Sequence, residues 1–350
     1  MIHIHFNLRH VNFLLSHTVQ NPSLKEGLNS QPTESATNSL LTLRQQLCDS
    51  KLHSLPSFYF LSWRAGNLKV SLKIKVNGKN LLNSALLLYN GNIHGIVSKS
   101  LLPNYDVFDE YRYFEPATQS TCITFKGCKI ALTICEDLWN VNNDPLYVAE
   151  PMDWLSKEHP DVMINIAASP FAYNHDEERV HILGDNCRKY NLPLFYVNQI
   201  GAQTELIFDG ESLVFNEKGE VLDQLAAFTE DLKVYEFAQN KVLGLVPRTA
   251  APESDVAQIH QALVLGIRDY FQKSGFKKAT LGLSGGIDSA VVCALAVEAL
   301  GPENIVAVLL PSEFSSDHSI ADALALVQNV GCEQLTVPIK QATEAFDAML

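Results

Sequence analysis

The sequence predicts an α/β chain built from two modules, and three stretches carry that prediction. Residues 279–300, ATLGLSGGIDSAVVCALAVEAL, read as a short apolar strand, a glycine turn and a strong helix. Apolar runs at 305–310 and 335–339 flank a helical stretch at 320–330, so this part is a βαβαβ unit with a parallel sheet. Well upstream, an apolar run at 129–134 leads directly into Cys135-Glu136-Asp137-Leu138-Trp139, a buried strand delivering a reactive side chain to a loop.

Composition bounds the function. The 350 residues are 47% hydrophobic and 19% charged, enough for two globular domains, and the net charge of −13 argues against a nucleic-acid partner. The seven cysteines form no CxxC pair and read as reduced thiols of a cytoplasmic protein. No apolar run approaches the length of a membrane span, and 11–15 is too short for a signal-peptide core. Residues 1–98 hold nine basic and three acidic residues, a net +6 that leaves −19 for the remainder, and such a break marks a boundary.

Residues 1–78 form an atypical N-terminal segment. Residues 1–6 alternate like a short strand, while His3, His5, His10 and His17 lack the spacing of metal ligands. The stretch 21–38 reads as loop and 40–47 as a short helix. Order begins at 79, where 82–89, the turn Asn90-Gly91-Asn92 and 93–97 predict a hairpin. A strand-like run follows at 129–134, and 221–237 looks like a closing strand. RTAAPE at 248–253 is a linker, and Ser254 can cap a helix whose residues Val256, Ile259, Leu263, Ile267 and Phe271 recur at helical spacing. That helix is expected to pack on the sheet of the second module.

The chemistry sits at two points. A strand, glycine loop and helix aim free N–H groups and a helix dipole at whatever lies above the loop, which favours a phosphate. Gly285 and Gly286 permit close approach of the main chain, Ser284 and Ser289 offer hydroxyls, and Asp288 fits such a site as a ligand of Mg²⁺. An ordinary capped βα turn is the plainer alternative. The second point is Cys135, whose strand-end position suits a nucleophile and whose thiolate needs a nearby cation, a role open to Lys99; a buried structural cysteine is the competing reading.

Resemblance to known families sharpens both points. SGGIDS resembles the pyrophosphate loop of the ATP-pyrophosphatase superfamily, whose members adenylate a carbonyl oxygen and let ammonia displace AMP. LLPSEFSSDHSIADALAL looks like the NAD⁺ synthetase form of this module, in which the segment supports adenine and ribose; Leu310 stands where that family usually has Met. SKSLLPNYDVFDEYRYF, IALTICEDLW, INIAASPF and LFYVNQIGAQTELIFDG resemble nitrilase-superfamily motifs in the form found in the glutaminase half of glutamine-dependent NAD⁺ synthetases.

The resemblance implies a nitrilase-like α-β-β-α sandwich over 79–245, followed over 246–350 by the first part of an adenine-nucleotide α-hydrolase-like, Rossmann-like parallel sheet. Cys135 would attack the carboxamide of glutamine, with Lys99 and the Glu136 N–H at the oxyanion. Tyr105, Glu136, Trp139 and Ser169 fall where the family contacts glutamine. Released ammonia would travel inside the protein to the ATP site, where Ser284, Gly285, Gly286, Asp288 and Ser289 would hold pyrophosphate and Mg²⁺ while deamido-NAD⁺ is amidated. A homo-oligomer is expected.

Two departures temper this. The family's general-base Glu lies in a Pro-Glu-Leu context before the lysine, and the chain has none; Glu26 and Glu34 sit in polar sequence, and the family's N-terminal strand–helix–strand pattern is not seen in 1–78. The chain also ends at Leu350, after the third strand of the second module, so it is expected to be incomplete at both ends, to hydrolyse glutamine weakly or not at all, to bind ATP weakly and to make no product. The alternatives are a standalone nitrilase-family amidase or a non-catalytic oligomeric remnant.

Overall fold

The computed structural model describes residues 2–7, 12–16, 58–61, 81–89, 92–141, 145–173, 175–248 and 254–349, the first three segments as backbone. The expected loop at 21–38, the helix at 40–47, Glu26, Glu34, His10, His17, the turn residues Asn90 and Gly91 and all but the first residue of the linker lie outside the described residues, as do the side chains of His3 and His5. Packing divides the chain into two compact units, one of Met1–Ile200 with Phe208–Pro252, the other of Gly201–Ile207 with Glu253–Leu350.

The first unit is made of two facing sheets and a helical layer. Strands β1 (Ile2–Asn7), β2 (Asn12–Ser16), β3 (Phe58–Leu61), β4 (Ser84–Tyr89) and β5 (Asn92–Ser98) join two later strands in a seven-stranded antiparallel sheet. Three strands thus lie within the first 78 residues, where sequence indicated one: NFLLS and FYFL are too short to show a period. After the single-turn helix α1 (Glu110–Tyr113), the second sheet is built from β6 (Ile123–Phe125), β7 (Cys128–Ile134), β8 (Val162–Ala167) and β9 (Leu194–Asn198). It incorporates neither β10 (Ile200–Gln203) nor β11 (Leu206–Asp209), which pair with each other, and it ends with β12 (Leu213–Phe215) and β13 (Val221–Gln224). Within it β7, β8 and β9 run parallel.

The closing strand expected at 221–237 is two strands. β13 stops at Gln224, and the chain resumes as β14 (Val234–Ala238) in the other sheet, followed by β15 (Lys241–Val242). Thr229-Glu230-Asp231 interrupt the apolar run, and strands rarely exceed about 10 residues.

Alternation on β7–β9 fixes the layers. Ile130, Leu132, Ile134, Ile164, Ile166, Phe195 and Val197 face the first sheet, meeting Ala85, Leu87 and Val97. Ala131, Met163 and Tyr196 face the other way, onto Met152 and Leu155 of α2 (Pro151–Leu155) and Leu183 and Cys187 of α3 (Asp176–Tyr190). A sheet buried on both faces holds its strand ends rigidly, and the carboxyl ends of β7, β8 and β9 all open on one edge.

The second unit contains α4 (Asp255–Ser274), β16 (Ala279–Gly282), α5 (Ile287–Leu300), β17 (Ile305–Leu309), α6 (Asp317–Val330), β18 (Glu333–Thr336) and α7 (Lys340–Asp347). The strands are parallel in the order β16, β17, β18, as the alternation predicted. Ser254 caps α4 by accepting from Ala257 N at 3.3 Å, and Gly275, at φ +76°, ends it. The apolar stripe of α4 does not pack on the sheet as expected: Val256 is 76% exposed and Leu263 44%, while Ala262, Val264 and Leu265 are buried and the helix lies along α5. Apolar residues occupy more than one face of α4, so periodicity could not choose between them. β18 begins two residues earlier than the apolar run because its polar start, Glu333-Gln334, pairs with β17 at an exposed edge. Among the described residues, no helix is long and apolar enough to cross a membrane.

Candidate active site

Cys135 follows β7 directly and opens a 3-10 turn, Cys135–Leu138, with φ at +44°, a left-handed conformation that is strained for a cysteine. The turn lifts the thiol off the sheet edge while the strand below stays fixed. Asn165 on β8 is fully buried and steadies the strained peptide, donating from Nδ2 to the Cys135 carbonyl at 3.3 Å and to Thr133 Oγ1 at 3.0 Å. Burial pushes the thiol up to about 11; Lys99 pulls it down, Glu136 and Glu110 push it up, and the Ala168 N–H stabilises the thiolate.

Lys99 follows β5 and is 1% exposed. Its backbone is held on both sides, its N–H on Asn83 O at 2.8 Å and its carbonyl by Ala117 N at 3.0 Å. Its Nζ meets Glu110 Oε2 at 2.8 Å. Burial would lower the Lys99 pKa, but Cys135, Glu110 and Asp137 outweigh it, so the ammonium is raised and stays charged. The two residues that sequence reasoning linked, Lys99 and Cys135, therefore act on one another electrostatically. Glu110, which sequence reasoning passed over, completes the group; its signal was an acid set among aromatics 11 residues after the lysine.

Tyr105 and Glu136 are brought together, the tyrosine hydroxyl donating to Glu136 Oε1 at 2.8 Å. Tyr147 donates to the same oxygen at 3.2 Å and had no signal in the sequence. Burial raises the Glu136 pKa, and the two hydroxyls with Lys99 pull against it. Trp139 ends the same turn, 6.3 Å from the His175 ring. Ser169 follows β8, its N–H held by Asn198 Oδ1 at 2.9 Å. Asn198 donates to Asp209 at 2.8 Å, and Asp209 pairs with buried Arg179 at 2.8 Å. Asp176, Asp209 and Glu211 are the group of three metal-type ligands found among the described residues, and Arg179 already neutralises it in part.

In the second unit Ser284, Gly285 and Gly286 form the turn between β16 and α5. Gly285 has φ +81°, and a Cβ on it would overlap the Ser319 carbonyl at the start of α6. Gly286 caps α5, and its Cβ would meet Ser284 Oγ alone, at 3.4 Å, so space above it is open. Ser284 and Ser289 hydroxyls lie 3.1 Å apart; Ser284 Oγ accepts from Gly286 N at 3.2 Å and Ser289 Oγ donates to Gly286 O at 3.0 Å. Asp288 is exposed in the first turn of α5. A cleft of about 310 Å³ opens beside the turn, lined by Ser284, Leu309, Leu310, Pro311, Ser315 and Ile320 among others. It lies at the carboxyl ends of β16 and β17, where parallel sheets take ligands.

Residues 259–350 match the family model described as NAD synthase. The chain is 43% identical over 277 residues to a protein of Synechocystis sp. named glutamine-dependent NAD(+) synthetase, covering 78% of this chain and 50% of that one. A protein of the same name from Acinetobacter baylyi is 39% identical over 252 residues, 71% of this chain and 44% of its own. Among solved structures, the glutamine-dependent NAD⁺ synthetase of Acinetobacter baumannii in complex with ADP superposes with a TM-score of 0.72 at 32% identity, covering 91% of this chain and 58% of that one. The chain spans about half the length of the curated relatives it matches. By these matches the chain is a relative of the glutamine-dependent NAD(+) synthetases, matched over about half of their length.

Proposed function

We propose that the chain carries the glutamine-hydrolysing site of such a synthetase, within 79–245, and the opening part of its ATP site, within 246–350. The observation that carries the reading is the buried Lys99–Glu110 ion pair acting on Cys135 at a strand end. In the proposed reaction the Cys135 sulfur bonds to the carboxamide carbon of glutamine. Lys99 Nζ and the Glu136 N–H receive the oxyanion. The C–N bond then breaks, the leaving nitrogen takes a proton and departs as ammonia, and water hydrolyses the glutamyl thioester to glutamate. Tyr105, Glu136, Trp139 and Ser169 hold the amino-acid end of glutamine.

At the second site of such a synthetase ATP would adenylate deamido-NAD⁺ and ammonia would displace AMP, and this chain supplies the opening part of that site. The open face of Gly286, the N-terminus of α5 and the cleft beside Leu310 suit a polyphosphate and its nucleoside, with Ser284, Gly285 and Ser289 shaping the turn. Asp288 offers one hard carboxylate for Mg²⁺, which would neutralise phosphate charge when bound.

Hydrolysis by this chain is expected to be weak. The resting thiol is protonated at neutral pH, and the carboxylates acting on it, Glu110 and Glu136, are engaged by Lys99 and by two tyrosines. Glutamate release from glutamine by the purified chain should be slow but measurable, and lost in Cys135→Ala. A rate that survives Cys135→Ala would assign the chemistry elsewhere.

A further inference from the structure

Asp137 is 2% exposed and is the third residue of the turn that begins at Cys135. Its Oδ2 accepts from the Ile134 N–H at 3.1 Å, the peptide directly before Cys135. Its Oδ1 accepts from the N–H groups of Ser100 at 3.0 Å and Leu101 at 2.9 Å, the two peptides directly after Lys99. One carboxylate therefore grips the chain beside the thiol and the chain beside the ammonium, segments 36 and 37 residues apart in sequence.

A helix cap accounts for only half of this. An acid at the third position of a helical turn commonly accepts from the backbone just before the turn, and the Ile134 contact is of that kind. The contacts to Ser100 and Leu101 serve no turn; they tie a different strand end to it. What they fix is the one geometry on which the Cys135 thiolate depends, since attraction between sulfur and ammonium falls with distance and is strong only where water is excluded.

We propose that Asp137 is a positioning residue for the Cys135 reaction, a three-point clamp that holds the Lys99 ammonium beside the Cys135 sulfur. The proposal rests on the reading of Cys135 as the nucleophile, but its test needs no turnover. Iodoacetamide labelling of Cys135, followed by peptide mass mapping at fixed, mildly alkaline pH, reports the thiolate fraction. Lys99→Met should slow labelling about tenfold, the effect of one pKa unit. Asp137→Asn, which keeps the shape and removes the charge, should slow it about three- to tenfold. The double variant should be no slower than Lys99→Met, because the clamp acts through the lysine.

A merely structural role gives the opposite sign: a loosened turn exposes the partly buried thiol and labels faster. Faster labelling in Asp137→Asn, or losses that multiply in the double variant, would overturn the clamp. A second measurement uses the unaltered chain. Burial pushes the Asp137 carboxyl up to about 6, against backbone hydrogen bonds from Leu101, Ile134 and Ser100 and the charge of Lys99. Amide hydrogen exchange at Ile134, Ser100 and Leu101, corrected for intrinsic rates, should lose protection together as acid titrates their shared acceptor through about pH 6. Three unrelated responses would sink the proposal even if Asp137→Asn does not fold. Absence of glutaminase turnover with labelling as expected would instead count against the proposed function and leave the clamp standing.

Discussion

At the scale of single residues, the cost of the site is concentrated in buried charges. Asp137 holds its proton to about pH 6 in the folded chain but only to about 3.8 in the unfolded one. Between these values the folded state binds the extra proton, so its stability falls as pH rises through the window. Above it Asp137 costs about 3 kcal/mol relative to acid. Asp137→Asn should therefore flatten the dependence of the urea midpoint on pH between about 4 and 6; an unchanged slope would show that the carboxylate is not strained by burial. Arg179 is the reverse case, a cation whose removal strands acids. Its guanidinium pairs with Asp209 at 2.8 Å and lies 3.6 Å from Glu211, which burial first, then Asp176 and Asp209, push up to about 7. Arg179→Ala should cost about 3–5 kcal/mol in denaturant unfolding, the usual penalty for breaking a buried pair from one side. It should also loosen Ser169 through Asp209 and Asn198. Cys135 and Lys99 were legible because each follows an apolar run and sits in a motif. Tyr147 was not, because a phenol on the surface looks the same in sequence as one turned inward, and Glu110 left only its place among aromatics as a signal.

At the scale of elements, the glycine turn shows how far local chemistry determines structure. Gly285 needs both a positive φ and the absence of a Cβ, since Ser319 O occupies the place where one would go. Gly286 needs neither in the structure itself, and its openness matters only to an incoming anion. Gly285→Ala should displace the start of α6 from the turn and lower the melting temperature, whereas Gly286→Ala should leave melting unchanged and weaken ATP binding by equilibrium dialysis. Equal melting temperatures for the two variants would refute the distinction. The strand–turn–helix order here was readable because glycines punctuate a strong change of period. Helix α5 nonetheless starts at Ile287 rather than Ala290, since Gly286 accepts from Ala290 N at 3.1 Å and the polar first turn, Asp288-Ser289, hides the helical pattern. The short strands near the N-terminus and the break between β13 and β14 escaped because pairing across the sheet, not propensity, creates them.

At the scale of the whole molecule, the two units differ in how well their strands are covered. The central strands of the first unit are buried on both faces, between large apolar side chains. The core of the second is built largely of small residues, Cys293, Ala296, Ala307 and Ala323 among them, and every residue of β18 is exposed. Val256 of α4 is 76% exposed and Ile287 and Val292 of α5 are 75% and 53% exposed, apolar surface that returns no burial energy to this unit. The second unit should therefore unfold at a lower temperature than the first. The sequence supplies its own probe, because the second unit has no tryptophan and is rich in helix, while Trp139 and Trp154 lie in the first. Far-ultraviolet circular dichroism should lose helical signal on heating while tryptophan emission still reports a folded environment, and a hydrophobic dye should bind in the interval between. A single coincident transition by both probes would mean that the units melt as one and that the exposed apolar surface of α4 and α5 carries no penalty.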